Sequence, residues 1–393
     1  MSSDEKQPRD SADAPVPVSG HATNAGTARY RERVGASASV AENHFRLEQD
    51  LWLSSVGIGT YLGGWDEATD RAYAESVARA VELGANVIDT ASNYRFQRSE
   101  RSIGAAIREL TAGGAAARDE LIVCTKGGYL PFDSEPPAGQ AGVQAYVEET
   151  FVRPGVASLS DIVAGSHCMT PRYLAHQIEQ SLRNLGLETI DVYYVHNPET
   201  QLGVIPREEF ERRMRAAFEA LERAADEGKI KFYGVATWNG FRVGAGERGY
   251  HSLERLHALA REAAGGDSHR FRFAQVPFNL GMPEALTLDN HTYEGARVSL
   301  LEAARGLGVT IVASASILQG RVARDLPDSI REPLGSLATD AQTAIQFVRS
   351  TPGVTTALVG MSRREHVEEN LRLARVAPAA AADYRRIFEA GAE

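Results

Sequence analysis

Four residues of this 393-residue chain have the chemistry to move a proton together: Asp89, Tyr94, Lys126 and His196. Asp89 closes the apolar run in NVIDTASNY (86–94), and Tyr94 follows within one short loop. Lys126 closes the run in ELIVCTKGGY (120–129), and His196 the run in TIDVYYVHNPE (189–199). A phenol ordinarily ionises near pH ~10, and an ammonium beside it stabilises the phenolate and lowers that value. A carboxylate paired with the amine keeps it charged despite partial burial. A histidine next to them orients a carbonyl oxygen or relays its proton. Such a set can protonate an oxyanion while hydride reaches the carbonyl carbon. Taken singly, each residue has a plainer role: Asp89 caps a loop, Tyr94 packs, Lys126 snorkels and His196 is structural. Their joint position at three successive strand ends is what points to catalysis.

Stepping outward from these residues, one local pattern recurs. A helix-period segment ends near Gly and a β-branched strand follows, in ELGANVID (82–89), NLGLETID (184–191), DEGKIKFY (226–233) and GLGVTIVA (306–313). Glycine suits such joints because a helix commonly closes on a left-handed residue. Eight strands are expected near 53–58, 86–89, 120–125, 190–195, 229–235, 271–277, 309–314 and 355–359. The helix before the fourth should start at Thr170 and Pro171, with Leu174, Ile178, Leu182 and Leu185 on one face. A second helix, capped by Ser99, should turn Ile103, Ile107 and Leu110 to the sheet. Alternating units without a composition break predict a single (β/α)8 TIM barrel over 41–393, with a doubly wound sheet as the competing architecture. Residues 1–40, rich in Ser, Ala, Gly and Pro, read as a disordered tail. The segments 129–169 and 316–338 leave the third and seventh strands at the face where barrels keep their active sites, and are too long for simple connections.

Bulk composition narrows the partners. With 42 basic and 52 acidic residues, the formal charge is −10, and no basic stripe offsets it. That balance argues against nucleic acid and anionic lipid as partners. Two cysteines, Cys124 and Cys168, are too few for a disulfide framework. The polar N-terminus and the absence of a membrane-length apolar run favour a cytoplasmic protein. No metal site is expected, since His167-Cys168 lacks further ligands at metal spacing. GIGTYLG (57–63) carries Leu62 where a dinucleotide fingerprint needs glycine. The Asn290-His-Thr292 sequon has no secretory route to use it.

The run GANVIDTASNYRFQRSERSIGAAIREL (84–110) resembles the signature of the aldo/keto reductase family. CTKGGY and DVYYVHNPE look like its Lys and His segments, and VGMSRREHVEEN (359–370) like its cofactor-binding end; together the likeness spans roughly 45–375. The resemblance implies a (β/α)8 barrel, an Asp89–Tyr94–Lys126–His196 tetrad, and a nicotinamide nucleotide bound without a Rossmann domain. The substrate is then a small carbonyl or alcohol. It further implies cofactor contacts from Thr60 and Tyr61 in GIGTY, Asp89, Gln275 in FAQVPFN, and Gly360. The family's Gly-Val-Ser-Asn is replaced here by Gly234-Val-Ala-Thr237, which leaves Thr237 one hydrogen bond to donate. Ser314 stands where many members place a tyrosine, and Trp238 is a substitute stacking face. Arg363, Arg364 and His366, before Glu369 and Asn370, make a helix start suited to a ribose 2′-phosphate and favour NADP(H) over NAD(H), with Asn370 at the adenine. Trp65, Tyr129, Phe132 and Trp238 are candidate aromatic walls of the substrate pocket. Two other functions fit the barrel: a cofactor-sensing channel subunit, and a Schiff-base aldolase using Lys126.

Overall fold

The structure, a computed structural model, describes residues 16–389. Eight parallel strands close a barrel in sequence order. They are β1 (Val56–Gly59), β2 (Val87–Asp89), β3 (Ile122–Gly127), β4 (Ile190–His196), β5 (Ile230–Ala236), β6 (Phe271–Pro277), β7 (Thr310–Ser314) and β8 (Val354–Gly360). All eight expected strands are present. The first is displaced: Leu51–Ser54 pairs with Phe45–Glu48 in a separate antiparallel hairpin, and the barrel strand begins at Val56. The connecting helices wrap the ring, so the doubly wound alternative is excluded.

Period two in the strands divides the apolar residues between two cores. Val87, Ile122, Cys124, Val192, Tyr194, Phe273, Val312 and Leu358 fill the barrel interior, with Leu51, Leu53 and Ala22 packed against them. Ile88, Val123, Tyr193, Val235, Ala274, Ile311 and Val359 face outward to the helices. The helix Pro171–Leu185 shows how the outer layer is specified. Leu174, Ile178, Leu182 and Leu185 are buried as expected, a gain of about 1.5–3 kcal/mol for each fully buried aliphatic. Gly186 ends the helix at φ 62. Thr170 occupies the cap position, but its side chain makes no capping bond. Ser99 is not a cap at all. Its helix, Arg98–Ala112, starts after Gln97, and the Ser99 hydroxyl donates instead to the Thr60 carbonyl at 2.7 Å.

The expected tail needs a correction. Residues 1–15 lie outside the described residues, whereas the chain from Val16 onward is part of the barrel's lower end. Val18 bridges to Leu187, and the Ala22 amide donates to Asp191 Oδ1 at 2.6 Å. Asn24–Ala38 then forms a helix, capped by Thr23, whose Tyr30 is fully buried and donates to the Val81 carbonyl at 2.6 Å. Arg29 and Arg33 of this helix pair with Glu120 at 3.1 and 2.5 Å. Its docking rests on small residues and ion pairs, so little apolar periodicity marks it in the sequence.

Candidate active site

Strand alternation explains why the four polar residues meet. Asp89, Lys126 and His196 stand two positions beyond the interior residues Val87, Cys124 and Tyr194, so they too point inward, at the strands' C-terminal rim. Gln275, Ser314 and Gly360 stand two beyond Phe273, Val312 and Leu358 and join the same rim. A barrel's residues at this end are held by rigid strands while the loops above remain free to vary.

Lys126 Nζ donates to Asp89 Oδ2 at 2.6 Å and to the Thr90 carbonyl at 2.8 Å, and lies 3.3 Å from Tyr94 Oη. Gln275 Nε2 donates to the other Asp89 oxygen at 2.7 Å. The Tyr94 ring meets His196 edge-on at 5.9 Å and Tyr61 at 5.0 Å, and Tyr129 meets His196 at 5.2 Å. Four residues taken from three separate stretches of sequence thus form one contiguous group.

The electrostatics depart from the sequence expectation at one point. Burial raises the Tyr94 hydroxyl above its ordinary value, and the Lys126 ammonium offsets this without reversing it. Tyr94 is therefore a protonated phenol through neutral pH. Burial works to lower Lys126, but Asp89 and Tyr94 raise it above its usual value, so the amine stays charged. A charged amine with three such neighbours argues against the Schiff-base alternative, whose lysine must be neutral. His196 is driven well below its ordinary value by burial and then by Lys126, leaving a neutral imidazole. Its Nδ1 is buried and has no partner among the described residues.

A cleft of about 730 Å³ opens above this group. Thr60, Tyr61, Asp89, Tyr94, Tyr129, His196, Thr237, Trp238, Gln275, Ser314, Gly360, Arg363 and His366 line it. Trp65 does not; it packs edge-on against Phe96 at 5.3 Å. Arg364 turns to Glu368 at 3.1 Å, and Glu369 accepts from Thr339 Oγ1 at 2.8 Å. Asn370 is buried with Oδ1 unpartnered. Of the two long loops, the one after β7 lines the cleft from Ala315 to Gly320. The loop after β3 contributes only Tyr129; Phe132, Tyr146 and Phe151 pack on one another within it.

Two supporting features escape sequence reading. His167, from the β3 loop, contacts the His196 carbonyl through Nε2 at 2.8 Å, and its Nδ1 accepts from Gln201 Nε2 at 3.0 Å. Gln201 is in turn fixed by Arg213 at 2.9 Å. Gly128 (φ +149) makes room for this chain, since a Cβ there would stand 2.8 Å from the His196 carbonyl oxygen and 2.9 Å from His167 Nε2. Separately, Glu199 Oε1 accepts from the amides of Trp238 and Asn239 at 2.7 and 3.0 Å, pinning the loop after β5. Glu199 lies three residues after His196, but nothing in the local pattern says which backbone it will hold.

A parallel eight-stranded barrel with a polar cluster at its C-terminal rim defines the general class: a (β/α)8 enzyme. The comparisons with known proteins take the assignment further. The model of the Aldo/keto reductase family matches residues 55–243, which include Asp89, Tyr94, Lys126 and His196. A protein of Schizosaccharomyces pombe, provisionally named as a voltage-gated potassium channel subunit beta, is 24% identical over 341 residues, covering 82% of this chain and 85% of that protein. L-glyceraldehyde 3-phosphate reductase of Escherichia coli O157:H7 is 24% identical over 330 residues, or 75% of this chain and 76% of the relative. The solved aldo/keto reductase of Klebsiella pneumoniae in complex with NADP and acetate superposes with a TM-score of 0.58 at 21% identity, covering 89% and 95% of the two chains. Residues 55–243 form an aldo/keto reductase domain, and the protein is an NAD(P)H-dependent oxidoreductase.

Proposed function

We propose that the enzyme interconverts an aldehyde or ketone and its alcohol, with Tyr94 as general acid and NADP(H) as the favoured nucleotide. The observation carrying this reading is the 3.3 Å approach of Lys126 Nζ to Tyr94 Oη, with Asp89 2.6 Å behind the amine. The cleft suits a nucleotide on two grounds. Thr237 Oγ1 and His196 Nδ1 are buried there without partners among the described residues, and such groups call for a ligand or water. Gly59 and Gly360 keep its floor low beside Ser314 and Gln275. Thr60, Tyr61, Thr237, Gln275 and Ser314 would hold the nicotinamide end, with Asp89 beneath.

At the other end, Arg363 lines the cleft with no ion pair among the described residues, whereas Arg364 is engaged by Glu368. Arg363 with His366 is thus the better candidate for the 2′-phosphate, and the unpartnered Asn370 amide for the adenine. Glu369, bonded to Thr339, braces that end.

When bound, the nicotinamide supplies a hydride, carrying two electrons, to the carbonyl carbon. His196, neutral and on the same rim, orients the carbonyl oxygen. Tyr94 gives that oxygen its proton as the C=O π bond becomes a C–H and an O–H. Lys126, kept charged by Asp89, stabilises the phenolate left behind until solvent reprotonates it.

Replacing Tyr94 by Phe should lower kcat about 10²–10⁴-fold while leaving nucleotide affinity unchanged, read by steady-state rates and by titration. Normal turnover by that variant would overturn the acid assignment. Arg363→Ala should cut the ratio of NADPH to NADH kcat/KM by about tenfold; an unchanged ratio removes the 2′-phosphate role. A sensor function, drawn from the likeness to the channel-subunit relative, would instead give one stoichiometric burst of NADPH oxidation.

A further inference from the structure

The cleft is electrostatically divided. In a closed ring of eight strands, β4 lies across from β8. Arg363 and His366 follow β8, whereas His196 ends β4, Asn197 and Tyr129 follow β4 and β3, and Trp238 follows β5. Arg363 is the only arginine among the described lining residues, and no lysine is among them. Lys126 cannot serve a substrate anion, because it is 1% exposed and bonded to Asp89, Thr90 and Tyr94. His196 is neutral. The half around Tyr94 and His196 therefore offers no positive charge.

What it offers instead is rigid aromatic surface. Trp238 is 42% exposed, an unusual state for an indole, yet its backbone is fixed. Its amide donates to Glu199, and Arg242 beside it is paired with Glu284 at 2.7 Å. Tyr129 is held through its carbonyl by Tyr173 Oη at 2.7 Å and through its own hydroxyl by Thr200 at 3.2 Å and Asn197 at 3.3 Å. One exposed and one half-buried ring on a fixed backbone bind planar apolar groups at a reduced ordering cost. The polar groups among them, Asn93 and Asn197, are amides suited to neutral hydroxyl or carbonyl partners.

Resting on the reductase reading above, we propose that the substrate is a neutral, ring-bearing carbonyl compound, an aryl or cyclic aldehyde or ketone flanked by Trp238 and Tyr129. Carbonyls bearing carboxylate or phosphate are disfavoured, because their charge would be desolvated in this half without a counter-ion. The preference is opposite to what a phosphorylated sugar requires.

Matched substrates test this on the full-length enzyme with NADPH. Benzaldehyde should exceed 4-carboxybenzaldehyde in kcat/KM by about tenfold or more, and glyceraldehyde 3-phosphate should be no better than glyceraldehyde. Trp238→Ala should lower the ratio of benzaldehyde to butanal kcat/KM by about tenfold, and Trp238→Arg should shift preference toward 4-carboxybenzaldehyde. Equal or better use of the carboxylated aldehyde, or an aryl-to-alkyl ratio untouched by Trp238→Ala, overturns the proposal. If no carbonyl is turned over, the reductase reading itself fails. The ligand class is then decided by calorimetric titration with benzyl alcohol and 4-(hydroxymethyl)benzoate, and tighter binding of the acid would overturn it.

Discussion

The barrel buries an ion pair at each end, and the two are built for different ends. At the lower end Arg118 meets Asp191 at 2.7 Å. Both Asp191 oxygens are taken up locally, Oδ1 by the Ala22 amide at 2.6 Å and Oδ2 by Arg118 and the Val123 amide at 2.7 and 2.8 Å. Arg118 adds bonds to the carbonyls of Leu121 and Thr189. The charges stop there, tying the N-terminal segment, β3 and β4 together. At the upper end the Asp89–Lys126 pair is as short, at 2.6 Å, and as dry. Its amine, however, turns its third N–H to a phenol that lines the cleft. The interaction is the same in kind; only the upper pair hands its field to a group that a ligand can reach. A pair bonded only to the fold makes a staple, and a pair bonded to a group in the cleft makes a candidate catalytic device.

Removing the cation from each pair gives the largest contrast. Lys126→Met leaves Asp89 buried and unpaired, and Arg118→Met does the same to Asp191. Each should cost about 3–5 kcal/mol in urea unfolding, the usual penalty for breaking a buried pair. Turnover separates them: Lys126→Met should lose about 10²–10⁴ in kcat, whereas folded Arg118→Met should turn over at nearly the normal rate. Equal loss of activity in both would erase the distinction between the two ends.

A smaller contrast comes from two glycines. A Cβ on Gly26 would stand 2.1 Å from the Asp119 carbonyl oxygen, so Gly26→Ala should loosen the N-terminal helix. Gly128→Ala combines a positive φ with the crowding of His167 and His196 described above. Both should lose about 1–3 kcal/mol of stability. Only Gly128→Ala should also lower kcat, since it displaces the contact that sets the His196 carbonyl. Identical kcat values in the two variants would show that the His167 chain has no part in positioning His196.

The sequence disclosed the upper end far better than the lower one, for a physical reason. Strand alternation and the Gly-terminated helix joints are local patterns, so they place Asp89, Lys126 and His196 on one rim before any coordinates are known. Tyr94 was legible for the same reason, being one short loop beyond β2. The lower staple is not local. Ala22, Arg118 and Asp191 come from three distant stretches, and the helix Asn24–Ala38 carries only Tyr30 and Val34 as large buried apolar residues. A composition rich in Ser, Ala and Gly reads as a tail until tertiary contacts claim it. Trp65 erred in the other direction: an aromatic beside the rim is as ready to pack on Phe96 as to face the cleft. The sign of the Tyr94 shift was likewise hidden, because the depth of burial opposing Lys126 is a property of the assembled barrel.

Acid pH offers the finest probe, through one buried histidine at each end. His44, below, contacts the Gly84 carbonyl at 2.9 Å and Ser55 Oγ at 3.0 Å, and burial, then Arg349, lower its pKa to about 3. His167, above, is lowered to about 4 by burial. Both are neutral in the folded enzyme, whereas unfolded histidine takes up a proton near pH ~6.5. The unfolded state therefore binds more protons as pH falls below that value, and stability is lost from about pH 6.5 down toward 4, by roughly 1.4 kcal/mol per pH unit for each histidine. At His167 the cost has a visible route. A proton on Nδ1 would face the donating Gln201 amide, and flipping that amide would break its bond from Arg213. His167→Gln should flatten the slope of unfolding free energy between pH 6 and pH 4.5 by about one proton's worth and lower kcat, while His44→Gln should flatten the slope with kcat nearly intact. Urea titrations at several pH values, with initial rates on the same preparations, separate the two. A slope unchanged by His167→Gln would mean that this histidine is already protonated in the folded barrel, and the polar chain behind His196 would have to be redrawn.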